Sequence, residues 1–393
     1  NVFVSYAKEW SAALSLNTGT AQSHIVNNGS VHFQSDKARL PNKPQFLIKG
    51  WLPSVDLHGW QQVFDGAQDK NNPSLFPASL PVRLDLDYVM LESETMDTSE
   101  SVDDEQAVNI DPRHVPLISG EIRNFNYGKI KLGKVNIKSL RHTDGILLSE
   151  LNIDGPLVKL KGEGSWLWRD NRHQTNILFT MSSDDVGVLL DNLGYAAVIR
   201  KGRLQSVFQG YWYDAPTRFR METVNATIAA VIDKGILSEV KPGAGRLLGL
   251  LSVSELPRRL ILDFSEFRSG LSFDQIVGQV EIRDGIANTE TLKIISPVAL
   301  INIDGSTNIL EKKLDQTVNV IPNLSGTVPV VSWLAWGGQV GVLAFLLDQL
   351  FGDAFDTTVG TEYLVTGSWE KPVVTRVSQP QDTIGLEEDE DEF

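Results

Sequence analysis

Histidines are the first place to look for chemistry in this chain, and their spacing does not support it. His24, His32, His58, His114, His142 and His173 are scattered, with no H-x-H or H-x-x-x-H pair through which one element could present two imidazoles to a metal. There is no cysteine, which removes thiolate nucleophiles, disulfides and cysteine-type zinc sites. No G-x-S-x-G elbow, P-loop or H-E-x-x-H helix occurs. One glycine-rich stretch, "GAGRLLG" at 243–249, invites comparison with a dinucleotide loop. It has three residues, not two, between its second and third glycines, follows Pro242 and lies in no βαβ pattern. It therefore reads as a tight strand-to-helix turn. The adjacent Asp184 and Asp185 open an apolar-periodic segment, where capping of free N–H groups explains them better than acid–base catalysis. On these grounds the chain is expected not to be an enzyme and to need no cofactor and no metal.

What remains is apolar side chains at alternate positions, and the elements that would hold them are strands. In "PVRLDLDY" (81–88), Val82, Leu84 and Leu86 share one face while Arg83, Asp85 and Asp87 share the other. "KIKLGKVNIKSL" (129–140) sets Ile130 and Leu132, then Val135 and Ile137, among lysines, with a turn expected at Gly133–Lys134. The same rhythm returns in "VKLKGEGSWLW", "RLQSVFQGYWY", "GQVEIR", "VALINIDGS" and "TEYLVTGSW". Asn28–Gly29, Asp144–Gly145, Asp284–Gly285 and Asp304–Gly305 read as hairpin turns between strands. The total is roughly 18 to 20 strands of ordinary length. Helical patterns are few, at 54–64, 182–195, 242–260 and 327–356.

An internal repeat links two of these regions. "DGILLSELNIDGPLVKLKGEGS" from Asp144 and "DGIANTETLKIISPVALINIDGS" from Asp284 match at Leu151, Ile153, Pro156, Gly164 and Ser165 against Leu292, Ile294, Pro297, Gly305 and Ser306. Repeated hairpins without linkers suggest one elongated sheet. The fold expected is mainly β: an elongated, twisted, repeating β-groove, made of an open, solenoid-like antiparallel sheet with short capping helices and an apolar C-terminal helical hairpin. A β-sandwich, in which a second sheet covers the apolar side, is the alternative from pattern alone. In the groove reading the interior is lined by Val82, Leu84, Leu86, Ile130, Leu132, Val135, Ile137, Val158, Leu160, Val280, Ile282, Ile301 and Ile303. An uncovered apolar strip of that length needs a partner, and an acyl chain suits it because the strip offers area without directional polar groups.

Charge narrows the partners further. The formal net charge of −15 comes from two places: eight acids between Glu92 and Asp111, and seven after Arg376. The rest of the chain is balanced, so there is no basic excess with which to bind nucleic acid. Residues 316–347 contain no charge at all. Within 327–356, Thr327 and Pro329 mark a helix start and Gly337–Gly338 interrupts it, which suggests a helical hairpin. Val331, Trp333, Leu334, Trp336, Leu343, Phe345, Leu346, Leu350 and Phe351 are the side chains expected to enter a leaflet. A buried cap on the sheet end and a true membrane span are the other readings of this stretch.

The run "PGAGRLLGLLSVSELPRRLILDFSEFRSGLSFDQIVGQVEIRDGIANTETLKIISPVALINIDGSTNI" (242–309) resembles the C-terminal signature of the AsmA-like superfamily, in its YhdP branch. "DQTVNVIPNLSG", the apolar stretch and "YLVTGSWEKPVV" continue it in order, while "SSDDVGVLLDNLGY" and "GWLPSVDLHGW" are a looser match; the acidic loop and "LEEDEDEF" stand outside the pattern. The resemblance implies a bridge-like phospholipid transporter of the Gram-negative periplasm that joins the inner and outer membranes. Its inner-membrane anchor would be absent from this chain, and the end seen here would contact the inner leaflet of the outer membrane. The organisation expected is a groove segment at 1–241 with an acidic loop near 92–111, an AsmA-like C-terminal region at 242–376 including membrane-contacting helices at 327–356, and an acidic tail at 377–393. Phospholipid acyl chains are the expected partners, with outer-membrane or envelope proteins as further ones. A non-transporting envelope assembly protein that docks a partner through its apolar helix is the alternative.

Overall fold

Runs that alternate with period two and are joined by tight turns fold back on themselves, and here they do so without leaving a single sheet. The computed structural model describes residues 1–7, 9–18, 24–54, 77–91, 110–193, 199–220, 222–238, 270–322, 360–369 and 371–377. Its strands begin with β1 (Val2–Tyr6), β2 (Trp10–Thr18), β3 (His24–Phe33), β4 (Phe46–Leu52), β5 (Val82–Leu91) and β6 (Ile118–Tyr127). The middle is β7 (Ile130–His142), β8 (Gly145–Asp154), β9 (Lys159–Arg169), β10 (Arg172–Ser183), β11 (Ile199–Trp212) and β12 (Asn225–Leu237). The last are β13 (Leu271–Arg283), β14 (Ile286–Ile295), β15 (Ala299–Asn308), β16 (Lys313–Pro322), β17 (Thr361–Ser368) and β18 (Lys371–Arg376). All belong to one 18-stranded sheet. Every strand pairs with its neighbour in sequence, from β1 with β2 to β17 with β18. At the usual ~4.8 Å between strands the stack is about 80 Å long. Among the described residues there is no second sheet, so the sandwich reading fails.

The expectation of an antiparallel sheet needs correction at one place. β3 with β4, β4 with β5 and β5 with β6 are parallel. The reason is connection length. Residues 34–45, 53–81 and 92–117 link these strands, and a linker of a dozen residues or more can carry the chain back to the same end of the sheet, whereas a tight turn cannot.

Two of the expected turns are also corrected. Asn28–Gly29 lies inside β3, where Asn28 serves the 34–45 connection instead: its Nδ2 donates to the Pro41 carbonyl at 2.6 Å and its Oδ1 accepts from Gln45 N at 3.3 Å. Asp304–Gly305 lies inside β15, where Gly305 has φ +125° and a Cβ would run into the Asp315 carbonyl of β16. Close strand approach, not chain reversal, is what these glycine positions serve. The turn expected at Gly133–Lys134 is a register irregularity between β6 and β7, and β7 runs on through it. By contrast, Asp284 (φ +49°) and Gly285 (φ +74°) do form the two-residue reversal between β13 and β14. Asp144–Gly145 lies at the β7–β8 reversal.

The internal repeat corresponds to a shared unit. Pro156 and Pro297 occupy the connections from β8 to β9 and from β14 to β15. A register shift immediately precedes Leu151 in one copy and Leu292 in the other. Within the helical pattern at 182–195, α1 (Val186–Asn192) forms with Asp185 as N-cap, its side chain accepting from Val188 N at 3.0 Å. α1 buries Val186 and Leu189 against Val158, Ile199 and Leu204. The helical patterns at 54–64 (from residue 55 on), 242–260 and 327–356, the acidic loop up to residue 109 and the acidic tail from 378 lie outside the described residues.

Candidate functional site

Residues paired across a ladder point to the same side of a sheet. The pairings can therefore be followed from strand to strand to find what each face carries. One row starts at Tyr6, Trp10, Phe33, Gly50, Leu86 and Ile122. It continues through Val135, Ile153, Leu160 and Met181. Ser206, Ala230 and Gly278 follow, then Leu292, Ile303, Val318 and Tyr363, and Arg376 ends it. This row crosses all eighteen strands, and serine and the terminal arginine are its only polar members.

A second row runs beside it. Val4, Ala12, Val31, Ile48 and Leu84 lead to Gly120, Ile137, Leu151 and Gly162. Phe179, Phe208, Ile228 and Val280 carry it into Thr289, Gly305, Gln316, Val365 and Val374. A third, flanking row holds Val82, Ile177 and Ile282. One face of the whole sheet is thus continuously apolar.

Most of the residues expected to line a groove fall on these rows. Val82, Leu84, Leu86, Val135, Ile137, Leu160, Val280, Ile282 and Ile303 are members, and Ile301 lies next to Ile303 on the same face, opposite Ile294 and Val320. Ile130, Leu132 and Val158 sit at strand ends rather than mid-face; Ile130 and Val158 are buried, and Leu132 packs on the cluster containing α1. Sequence reasoning missed the aromatic centre of the face. The rings of Phe179 and Phe208 stack with centroids 4.9 Å apart, and Trp166 donates Nε1–H to His173 Nδ1 at 3.1 Å. In "GSWLWRD" three consecutive apolar residues, Trp166, Leu167 and Trp168, leave the parity of the strand undecided, so the pattern could not tell which of them faces inward.

Exposure varies along the face. In β14 to β17 the apolar members of the two long rows are sealed, with Ile303 and Val365 at 0%, as is Ile294 beside them. β2 to β5 hold a second sealed cluster around Val26, Phe46, Ile48, Val82 and Leu86. Between them, in β7 to β11, Ile137, Leu151, Ile153, Leu160, Phe179 and Phe208 are only partly buried. In the sealed part Gln316 Nε2 donates to Thr307 Oγ1 at 3.1 Å.

The charges interleaved with the apolar residues lie on the opposite face and satisfy one another there. Arg123 reaches Asp85 at 2.6 Å and Asp87 at 2.8 Å, and Lys134 reaches Glu121 at 3.0 Å. Lys49 Nζ lies 2.9 Å from Asp36, and that hydrogen bond holds the Asp36 carboxyl down at about 2. Burial disfavours charge further along the same face, raising Asp304 and lowering Lys293 against the attraction between the two. Among the described residues no group of three or more His, Asp or Glu could hold a metal, and no helix is long and apolar enough to cross a membrane. The residues expected to contact a membrane, Val331 to Phe351, lie outside the described residues. What the described face can do is bind by area: its apolar rows run the full length, and in β7 to β11 they leave surface partly open, with few groups that demand a direction.

Comparison with known proteins gives a match between residues 74–374 and the family model described as YhdP protein. A curated relative, the intermembrane phospholipid transporter YhdP of Escherichia coli (strain K12), is 26% identical over 249 residues, which cover 63% of this chain and 20% of the relative. The chain thus spans about a fifth of the length of that relative. No solved structure matches.

Proposed function

The chain belongs to the YhdP family, and from that premise we propose that it is a segment of a bridge-like phospholipid transporter whose apolar face carries acyl chains between the two membranes of a cell envelope. The observation that carries this reading is the set of apolar rows that cross the sheet without a charged residue before Arg376. An acyl chain gains roughly 0.8 kcal/mol for each CH₂ it removes from water, and β7 to β11 are where the rows leave apolar side chains partly open to it. Rows of similar apolar side chains suit passage, since a deep local site would hold a lipid in place. The charged headgroup would stay at the margin, in water, because burying it unpaired costs several kcal/mol.

The groove role of the row residues is tested by lipid extraction. Detergent-free full chain should carry phospholipid detectable by mass spectrometry, and it should move fluorescent phospholipid between vesicles. Ile137→Asp, in the partly exposed middle, should abolish transfer while the chain still folds. Transfer at the wild-type rate with that charge in place would overturn the reading, and a lipid-free chain would favour an envelope assembly protein instead.

The largely apolar stretch at 327–356 belongs to the same proposal as the contact with the outer membrane, through Trp333, Trp336, Leu343, Phe345, Leu346 and Leu350. Leu343→Asp should cost roughly 2.5–3.5 kcal/mol of membrane insertion. Flotation with liposomes should then drop by about a hundredfold at ~1.4 kcal/mol per tenfold. Unchanged flotation together with a large fall in thermal midpoint would assign the stretch to the protein core.

A further inference from the structure

The polar face of the sheet has a feature of its own. A depression of about 750 Å³ crosses β8 to β13. Strand alternation assigns it to the polar side. Gly164, Ile177, Gly210 and Ala226 form one register row along its floor, and their side-chain direction is the apolar face. The residues to either side of that row point the other way and make the walls. One wall is the row Leu147, Ser165, Asn176, Tyr211 and Asn225, with Arg283 at its end. The other is Glu163, Leu178, Gln209, Thr227 and Glu281. Both run along the strand stack, with one side chain per strand.

We propose that this depression binds a linear, N-acetylated glycan lying along the stack, on the face opposite the apolar rows. The wall chemistry points to it. Hydroxyls and carboxamides both donate and accept, which matches sugar hydroxyls and acetamido groups in either orientation. Asn176 Nδ2 already donates to Ser165 Oγ at 3.1 Å, so the first wall is ordered before any ligand arrives. Tyr211 is 39% exposed and is held edge-on by Tyr213 at 5.8 Å, whose ring lies under the Arg172 guanidinium at 3.7 Å. That braced ring is a surface for the C–H face of a pyranose. Leu178 gives the acetamido methyl an apolar contact.

The charges argue against other polymers. Glu163 and Glu281 flank the trough, and the cation that reaches it, Arg283, is 3.1 Å from Glu281. A phosphate backbone would meet carboxylates there, not free arginines. The spacing argues for a chain over a small molecule. Polar groups recur at about 4.8 Å across the strands, close to the rise of an extended glycan, and the trough spans six strands without enclosing anything. The site stands independently of the lipid reading, since it uses the other face.

The experiment is a titration of the full chain with tetra-N-acetylchitotetraose by calorimetry and by NMR. Binding in the millimolar range or tighter is expected. Tyr211→Ala should weaken it about tenfold, and Tyr211→Phe should restore it, because the ring and not the hydroxyl makes the contact. Gln209→Ala, an exposed position, carries the same test should Tyr211→Ala perturb folding. Ile137→Asp should leave glycan binding intact even where it stops lipid transfer. No binding at millimolar tetrasaccharide, or binding indifferent to both Tyr211→Ala and Gln209→Ala, would overturn the proposal.

Discussion

The apolar row residues of β14 to β17 and most of those of β7 to β11 follow the same alternation on the same face of the same sheet, yet they meet water differently. Ile294, Ile303 and Val365 are sealed, while Ile137, Leu151 and Phe208 are partly exposed. The difference separates two uses of one pattern. In the sealed stretch the apolar residues stabilise the sheet, as in any core. In the middle they stabilise it less and leave surface for something else to cover. A protein built only for stability would have no reason to stop sealing the face halfway along.

The sharpest test of that contrast is a pair of truncations. Ile303→Ala removes a fully buried side chain and should cost about 2–5 kcal/mol in chemical denaturation, through lost transfer energy and the cavity it leaves. Ile137→Ala should cost about 1–2 kcal/mol, because part of that side chain is already wet. Adding phospholipid should raise the midpoint of the wild type, and raise that of Ile137→Ala by less. Equal costs at both positions would break the distinction between stabilising and ligand-facing residues.

A smaller effect sits on the polar face of the sealed stretch. Burial raises the Asp304 carboxyl above its ordinary value, so the folded state holds a proton more tightly than the unfolded one. An acid shifted in that direction loses stability as pH rises from its unfolded value of 3.8 through its raised folded value, and the loss is complete above that. Asp304→Asn should therefore stabilise the chain at neutral pH and flatten its stability profile in that window. The gain should be no more than about 1 kcal/mol, since Lys293 opposes the shift and the site is only partly buried. A loss of stability at neutral pH would mean that the charge is instead needed where it lies.

The alternation alone determined that strands form, roughly how many, and which side of most of them is apolar, because side-chain direction in a strand has a period of two whatever the strand packs against. It also determined that the charges at Arg83, Asp85 and Asp87 face away from Val82, Leu84 and Leu86. It could not determine the direction of β4, β5 and β6, because a long connection permits either end of a strand to come next, and only the pairings with β3 and with one another settle it. Nor could it choose between Trp166, Leu167 and Trp168, since consecutive apolar residues have no parity until a neighbour strand supplies the register. Asn28–Gly29 and Asp304–Gly305 were illegible for a related reason: glycine answers equally to a tight turn and to a close neighbour, and only the tertiary structure shows Leu14 beside one and the Asp315 carbonyl beside the other. Continuity was the last thing left to the fold. Each apolar residue was visible by itself, but whether eighteen short alternations line up into rows or fall out of step depends on every bulge between them, and that is decided by the pairing of the strands.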